Sequence, residues 1–305
     1  MSPDLEAIRA ALSTHQQLSR SGLSNKKIAT LHRQGQLVRL TRGVYLSGSL
    51  AQSCSPQERA QAVTLALALK RPRAVVSHQS AALLWGAPLL ALPPKVHLSL
   101  RASDHSGHRQ AIFHSCRPEA CQQAVELQGV RLTPPLLTTL DCTRALPVHE
   151  SLAIADYFLA QGVLGQDQLA SELEALRGPG SRKAAIVRQV MSKKSESPLE
   201  SLACLRLYEG QLNPGFQQYE IRTPSGRLYR ADFAWPEQGV ILEVDGLHKY
   251  FGAYRSTEEQ LRRDTLRQRE LELAGWTVVR VTWEDLMQRP YLLVSRLRGL
   301  GVPAS

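Results

Sequence analysis

The sequence has few cysteines and no long apolar run, and each absence excludes a class of protein. The five cysteines are odd in number and scattered, and none forms a Cys-x-x-Cys pair, which argues against a disulfide framework and fits a reducing compartment. No stretch of eighteen apolar residues occurs, and the first residues lack the basic and then apolar pattern of a signal peptide. We therefore expect a soluble, cytoplasmic protein that does not associate with membranes.

The length and the distribution of charge indicate at least two domains with different partners. A chain of 305 residues is too long for one typical core. Its net charge is +10, yet residues 196–305 hold 14 Lys or Arg against 15 Asp or Glu, so residues 1–195 hold 23 against 12. A basic part joined to a near-neutral part predicts that the basic part docks on double-stranded DNA, although a solubilising basic surface would have the same composition.

The first fifty residues have the pattern of three short helices followed by a β-hairpin. Ser24 is placed as the N-cap of the third helix, and Gly35 is placed to end it. Two strand-like runs follow, and this order predicts a winged-helix DNA-binding domain over residues 1–50. The third helix and the hairpin carry the basic residues that we expect to contact DNA, namely Lys26, Lys27, Arg33, Arg39 and Arg42.

Residues 51–176 combine helix and strand signals, which predicts a mixed α+β middle domain. Ser55-Pro-Gln-Glu58 is a capping box with proline at the first helical position, and residues 96–100 alternate like a strand. The glycine-rich stretch that begins at Arg177 is the best linker. We therefore assign residues 177–194 to a linker and a bridging helix.

Residues 195–305 follow the order helix, three strands, helix, strand and helix, which predicts an α/β sheet with helices on its faces. If residues 236–239 form the loop between the second and third strands, Asp232 lies opposite Glu243, with Cβ atoms about 5 Å apart. Two such carboxylates repel unless one is protonated or a cation such as Mg²⁺ or Mn²⁺ lies between them. The alternatives are a loop one residue longer or shorter, or neutralisation of the pair by Arg222 or Arg230.

Other polar residues near this hairpin have both a functional and a simpler interpretation. Glu200 occupies the third helical position after Ser197, where a capping-box glutamate stabilises a helix by itself. The hairpin register opposes Arg230 to Asp245, so a cross-strand salt bridge is as well supported as a site role. His248 follows the third strand, near enough to reach a scissile phosphate or a metal-bound water, although a lone loop histidine is usually just exposed.

The helix after the third strand carries Asp264 and Arg267 one turn apart, where an intrahelical ion pair is the default and a supporting role in the site is the alternative. A further cluster offers zinc-ligand residue types at irregular spacing. Its members are His105, His108, His114, Cys116 and Cys121.

Several spaced motifs in residues 195–290 occur together. They are Ser197-Pro-Leu-Glu200, Arg230-Ala-Asp232-Phe-Ala-Trp, Ile241-Leu-Glu243-Val-Asp245-Gly-x-His248, Asp264-x-x-Arg267 and Gly275-Trp-Thr-Val-Val-Arg280. With them the chain resembles the uncharacterised endonuclease-like domains related to very-short-patch-repair endonucleases, in the PD-(D/E)XK nuclease superfamily. The resemblance implies a restriction-endonuclease-like fold and a Mg²⁺- or Mn²⁺-dependent DNA endonuclease. It implies Glu200, Asp232 and Glu243 as metal-site carboxylates, with His248 nearby and Asp245 beside them.

One departure from the superfamily concerns catalysis directly. Its usual Glu-x-Lys is here Glu243-Val-Asp245, so the lysine that orients the attacking water is absent. Lys249 is the candidate substitute. The loss favours a different interpretation, in which the nuclease fold is degenerate and serves for binding alone.

The N-terminal part resembles a second family through shorter motifs. They are Gly22-Leu-Ser, Leu31-x-x-x-Gly35-x-Leu37-Val, Arg42-Gly-Val-Tyr45, Ser77-His-Gln-Ser-Ala-Ala and Thr133-Pro…Thr138-Thr-Leu-Asp141. They are similar to those of the winged-helix region of AbiEi-like antitoxins, which implies a DNA-binding regulatory role. The sequence therefore predicts either an endonuclease delivered to DNA or an antitoxin-like regulator, and it does not decide between a toxin partner and a homodimer.

Overall fold

Three β-sheets, of three, five and four strands, organise the described part of the chain. The computed structural model describes residues 4–101, 108–115, 122–245 and 258–305, without the side chains of residues 258–261 and 264. The chain forms two compact units: Met1–Leu146 with Arg177–Gly180, and Pro147–Leu176 with Ser181–Ser305. It is thus a multidomain protein of mixed α and β structure. Among the described helices, none is both long and apolar enough to cross a membrane.

The first unit begins with three helices and a three-stranded antiparallel sheet of order β1-β3-β2. The predicted third helix is confirmed, and the hydroxyl of Ser24 caps it by accepting a hydrogen bond from Lys27 N at 3.2 Å. Leu12 pairs with Leu46 in a short strand, which the predicted pattern of three helices and a hairpin does not include. The elements are α1 (Leu5–Ala10), β1 (Leu12–Thr14), α2 (His15–Arg20), α3 (Asn25–Arg33), β2 (Leu37–Thr41) and β3 (Val44–Ser47).

A five-stranded mixed sheet of order β6-β5-β4-β8-β7 forms the rest of this unit. The predicted capping box is present, since Ser55 and Glu58 bond to each other's backbone N–H groups at the start of a fourteen-residue helix. The elements are α4 (Gly48–Ser53), α5 (Pro56–Leu69), β4 (Val75–Val76), α6 (His78–Leu84), β5 (Val96–Leu100), β6 (Ala111–Ser115), β7 (Val125–Leu127), β8 (Val130–Leu132) and α7 (Pro135–Ala145).

One hydrophobic core is continuous across residue 50. Ile8 and Leu46 from the first sheet region belong to the same buried cluster as Leu65, Leu98 and Leu132 from the second. The first fifty residues therefore share their core with the residues that follow, whereas the sequence assigned the two stretches to separate domains.

The second unit begins at Pro147, earlier than the boundary near residue 195 that the sequence indicates. Helices α8 (Val148–Ala160), α9 (Gln166–Ala175) and α10 (Ser181–Val190) belong to it, and α8 packs against α11 (Pro198–Glu209). The reason is apolar burial, since Leu152, Ile154 and Phe158 of α8 are at most 1% exposed.

The sheet of this unit has the order β12-β11-β10-β9, with β9, β10 and β11 antiparallel and β12 parallel to β11. Gly239 closes the loop before β11 at a φ of +62°, where a Cβ would lie 2.9 Å from the Gly275 carbonyl oxygen. The predicted last helix is two helices, because Pro290 starts a new one. The remaining elements are β9 (Phe216–Arg222), β10 (Leu228–Trp235), β11 (Val240–Val244), α12 (Glu258–Leu273), β12 (Thr277–Val281), α13 (Trp283–Gln288) and α14 (Pro290–Gly299).

Candidate active site and nucleic-acid interface

The hairpin of β10 and β11 has the register that the sequence predicts. Trp235 pairs with Val240 and Phe233 with Leu242, so the loop is neither longer nor shorter than expected. Extended by one step, this register would set Asp232 opposite Glu243, and the charge of Glu243 raises the pKa of Asp232. Asp232 Oδ2 accepts a hydrogen bond from Val244 N at 2.7 Å, so a side chain joins the two strands where the backbone pairs end.

Glu200 approaches these strands from α11 and is 6% exposed. The hydroxyl of Ser197 caps the helix by accepting Glu200 N, but the Glu200 carboxylate does not complete a capping box. Its Oε2 instead accepts hydrogen bonds from Glu196 N at 2.9 Å and from Gln218 Nε2 of β9 at 2.8 Å. This contact turns the carboxylate towards the sheet, which a purely capping role would not require.

Asp232 interacts electrostatically with both Glu243 and Glu200. Burial raises the pKa of Asp232, Glu243 raises it further, and the Val244 N–H and Arg267 oppose the shift. Burial likewise raises the pKa of Glu200, and the charge of Asp232 adds to the effect. Burial and like charge both disfavour the ionised form, so a cation bound here would relieve a real electrostatic cost.

Glu243 is bound by two arginines that lie far from it in the sequence. Arg267 Nη2 of α12 lies 2.7 Å from Glu243 Oε1, and Arg280 Nε of β12 lies 3.3 Å from Oε2. The sequence named Arg222 and Arg230 for this role. Arg230 forms an ion pair with Glu196 at 2.6 Å, and its charge also lowers the pKa of Asp232, so it contributes to neutralising the pair.

The carboxylates have the ligand type that a hard divalent cation prefers, but their oxygens are too far apart to bind one ion together as they stand. All three are oxygen ligands, and in the described part of the chain the buried Glu243 Oε1 has an ion pair but no hydrogen bond. Among the residues described, however, the only three His, Cys, Asp or Glu with ligand atoms all within 4.8 Å of one another are histidines elsewhere. A divalent ion would therefore draw the carboxylates together and compete with the two arginines.

Several predicted site residues are only partly described or not at all. His248 and Lys249 lie outside the described residues, as does the side chain of Asp264. Asp245 follows β11 directly and donates its backbone N–H to Val281 O at 2.9 Å. Of the predicted zinc cluster, His108 and His114 are described, whereas His105, Cys116 and Cys121 lie outside the described ranges.

Asp156 is a titratable residue near Glu200 that the sequence analysis missed. It is 1% exposed on α8, and its Oδ1 accepts Ser192 N at 2.7 Å. Burial raises its pKa to about 7, against the Ser192 N–H and nearby serine hydroxyls, and Glu200 adds a small increase. The available signal was a single aspartate within the otherwise apolar run of a predicted helix.

The residues predicted to contact DNA all lie on the surface of the first unit. Lys26, Lys27 and Arg33 are exposed on α3, and Arg39 and Arg42 are exposed on β2 and the turn that follows it. The carbonyl oxygen of Arg42 accepts a hydrogen bond from Lys70 Nζ at 2.6 Å, which brings a further cation to the hairpin.

Comparison with known proteins identifies relatives without an assigned role. No known family model matches the chain. The uncharacterized proteins MT2308 and Rv2248 of two Mycobacterium tuberculosis strains are each 26% identical over 174 residues, covering 56% of this chain. The match spans only 62% of the length of these curated relatives. A crystal structure of the RV2827C protein from the same species covers 72% of this chain and 87% of its own at 14% identity, with a TM-score of 0.39, too low to support an argument.

Proposed function

We propose that the protein is a metal-dependent DNA endonuclease, with its phosphodiester-hydrolysing site in the second unit and a DNA-binding surface in the first. The observation that carries the proposal is the electrostatic grouping of Glu200, Asp232 and Glu243 from α11, β10 and β11. The order of helix, three antiparallel strands, helix and parallel strand fits the PD-(D/E)XK fold that the sequence resembles, and this supports the proposal. The helices and sheet of residues 5–47 likewise fit a winged helix.

The carboxylates would hold Mg²⁺ or Mn²⁺, and the bound ion lowers the pKa of water and offsets the charge that develops on the phosphate. Glu200 and Asp232 each use one oxygen, Oε2 and Oδ2, for the hydrogen bonds described above, so the second oxygen is the ligand atom we assign. If a metal ion replaced Arg267 and Arg280 as the partner of Glu243, these two arginines would be free to bind phosphate oxygens.

A second candidate function is a DNA-binding regulator of the AbiEi-like type whose nuclease-like sheet is not catalytic. The observation that favours it is the double ion pair at Glu243, which already neutralises the carboxylate without a metal. Asp245 in place of the usual lysine favours it too. On this interpretation the carboxylates and arginines stabilise the sheet.

A cleavage assay on the full-length protein separates the two functions. Supercoiled plasmid and linear duplex are incubated with Mg²⁺, Mn²⁺, Ca²⁺ or EDTA, using the wild type, Glu243→Gln and Glu237→Gln. Glu237 is an exposed carboxylate in the loop of the same hairpin, and it is the matched control. The endonuclease requires cleavage with Mg²⁺ or Mn²⁺, none with EDTA, and a loss of at least about a hundredfold in Glu243→Gln alone.

Cleavage that persists with EDTA, or that is equal in both variants, would mean that this site does not perform the reaction. Sequence-specific binding without cleavage in any of these ions would support the regulator instead.

A further inference from the structure

Three histidines of the first unit meet on one side of its five-stranded sheet. His78 is the first residue of α6, His97 lies in β5 and His114 in β6. Ser99 pairs with His114 in the parallel β5–β6 ladder. His97 lies two residues before Ser99, and because side chains two residues apart in a strand share a face, His97 and His114 lie on the same face of the sheet. One ligand atom from each histidine lies within 4.8 Å of the other two.

A hydrogen bond joins two of the rings, and a stacking contact joins the third ring to them. His97 Nδ1 lies 2.9 Å from His114 Nε2, and the rings of His78 and His114 stack with centroids 3.9 Å apart. Around a tetrahedral zinc ion, with Zn–N distances of about 2.0–2.1 Å, ligand nitrogens lie roughly 3.3 Å apart. Binding an ion would replace the hydrogen bond between His97 and His114, widen the gap between these nitrogens by a few tenths of an ångström and rotate the stacked rings so that their lone pairs converge.

A buried serine holds the ring of His78, as the outer partners of metal-binding histidines do. Ser77 Oγ lies 3.0 Å from His78 Nδ1 and accepts a hydrogen bond from Ser99 Oγ at 2.8 Å. This contact assigns Nε2 as the ligand nitrogen of His78. The backbone of His78 is also strained, with a φ of +53° that a residue with a side chain rarely adopts.

We propose that His78, His97 and His114 bind one divalent transition-metal ion of the Zn²⁺ class. Three imidazoles suit Zn²⁺, Co²⁺, Ni²⁺ or Cu²⁺, and they do not suit the hard Mg²⁺ proposed for the carboxylates. His78 and His114 are partly exposed, so water or another small ligand can reach an ion bound here. Burial, with a smaller contribution from His114, lowers the pKa of His97 to about 4, so this ring is neutral at pH 7.

Such an ion would cross-link α6, β5 and β6 through its three histidine ligands. Because it binds the folded chain, it would raise the melting temperature by an amount that grows with the logarithm of the free ion concentration above its dissociation constant. The site is separate from the carboxylates, so it stands or fails independently of the proposed nuclease function.

The test uses full-length protein stripped with a chelator and then titrated with Zn²⁺ in a calorimeter and with Co²⁺ in a spectrometer. We expect one tight Zn²⁺ per chain that raises the melting temperature, and Co²⁺ d–d bands of a nitrogen-ligated site without a thiolate charge-transfer band. His78→Gln and His114→Gln should each weaken binding at least a hundredfold. His15→Gln, which changes a histidine of the same unit on α2, should leave binding unchanged.

Three results would overturn the proposal. They are the absence of a tight site in the wild type, wild-type affinity in both histidine variants, and a thiolate band, which would assign cysteine ligands. Circular dichroism of the metal-free variants checks folding. If a variant does not fold, the stoichiometry and the Co²⁺ spectrum of the wild type decide.

Discussion

Asp232 uses one carboxylate oxygen for the backbone of the neighbouring strand, so its structural role can be separated from its proposed chemistry. In Asp232→Asn the amide oxygen can still accept Val244 N–H, while a negative charge beside Glu243 and Glu200 is removed. We expect cleavage to be lost and the unfolding free energy in metal-free buffer to stay equal or rise by about 0.2–1 kcal/mol. Plasmid cleavage and thermal unfolding measure the two effects, and a variant that is inactive and clearly destabilised would point to a structural carboxylate.

Asp156 predicts how stability depends on pH. Its pKa is raised from 3.8 to about 7 in the folded protein, so the folded state binds this proton more tightly than the unfolded state. Its contribution to stability is therefore fully present below pH 3.8 and is lost as the pH rises through about 7.

The variant Asp156→Asn should show a flatter dependence, with its largest gain over the wild type at pH 8. Urea unfolding at pH 5 and pH 8 measures this, and Asp167→Asn, exposed on α9, is the control. An unchanged slope in Asp156→Asn would assign the pH dependence to other groups.

At the scale of elements, α3 is the proposed DNA-binding helix, and its two adjacent lysines allow a quantitative test. Each phosphate contact contributes about −0.9 to the slope of log affinity against log salt. Replacing Lys26 and Lys27 by Gln should flatten the slope by at most about two units and weaken binding to all sequences alike. Fluorescence anisotropy at several salt concentrations measures it, with the exposed pair Lys193 and Lys194 as the matched control.

If the control pair changes the slope as much as the helix pair, the contact surface is not α3. A change confined to one DNA sequence would mean that this helix reads bases.

Helices and strands with a clear sequence pattern could be predicted, whereas strands that form only through pairing with a neighbouring strand could not. The predicted loop over residues 236–239 places the end of β10 at Trp235, as observed, and determines the register of β10 with β11. Strands of two or three residues, such as β4 and β7, were missed because pairing rather than composition makes them strands.

The same holds for the candidate sites: contacts within one hairpin could be predicted, and contacts between distant elements could not. Asp232 and Glu243 could be paired from the sequence because the loop between them is short. Arg267, which the sequence named only as a possible supporting residue, and Arg280 lie 24 and 37 residues from Glu243, so their ion pairs with it depend on the tertiary placement of α12 and β12. The histidine cluster joins His114 to His78 and His97 through sheet topology, whereas the sequence grouped His114 with its near neighbours.

At the scale of the whole molecule, the burial on α8 determines where the chain can be divided. A fragment of residues 147–305 keeps α8 against α11, whereas residues 195–305 lose the cover that Leu152, Ile154 and Phe158 provide. Full burial of such side chains is worth about 1.5–3 kcal/mol each. We expect cooperative thermal unfolding for 147–305 and a non-cooperative or much lower transition for 195–305. Equal melting temperatures for the two fragments would show that α8 contributes little to this core.

The hydrogen bond from Val244 N to Asp232 Oδ2 makes one amide of β11 a reporter of the carboxylates. An amide held by a backbone carbonyl exchanges its hydrogen with solvent only when the strand opens, but this amide depends on the charge of a side chain. Protonation of Asp232, or a cation that withdraws electron density from it, weakens the acceptor and speeds exchange at Val244. The amides of the backbone ladder keep their protection, so the state of the site is recorded in a single exchange rate, whichever function the site has.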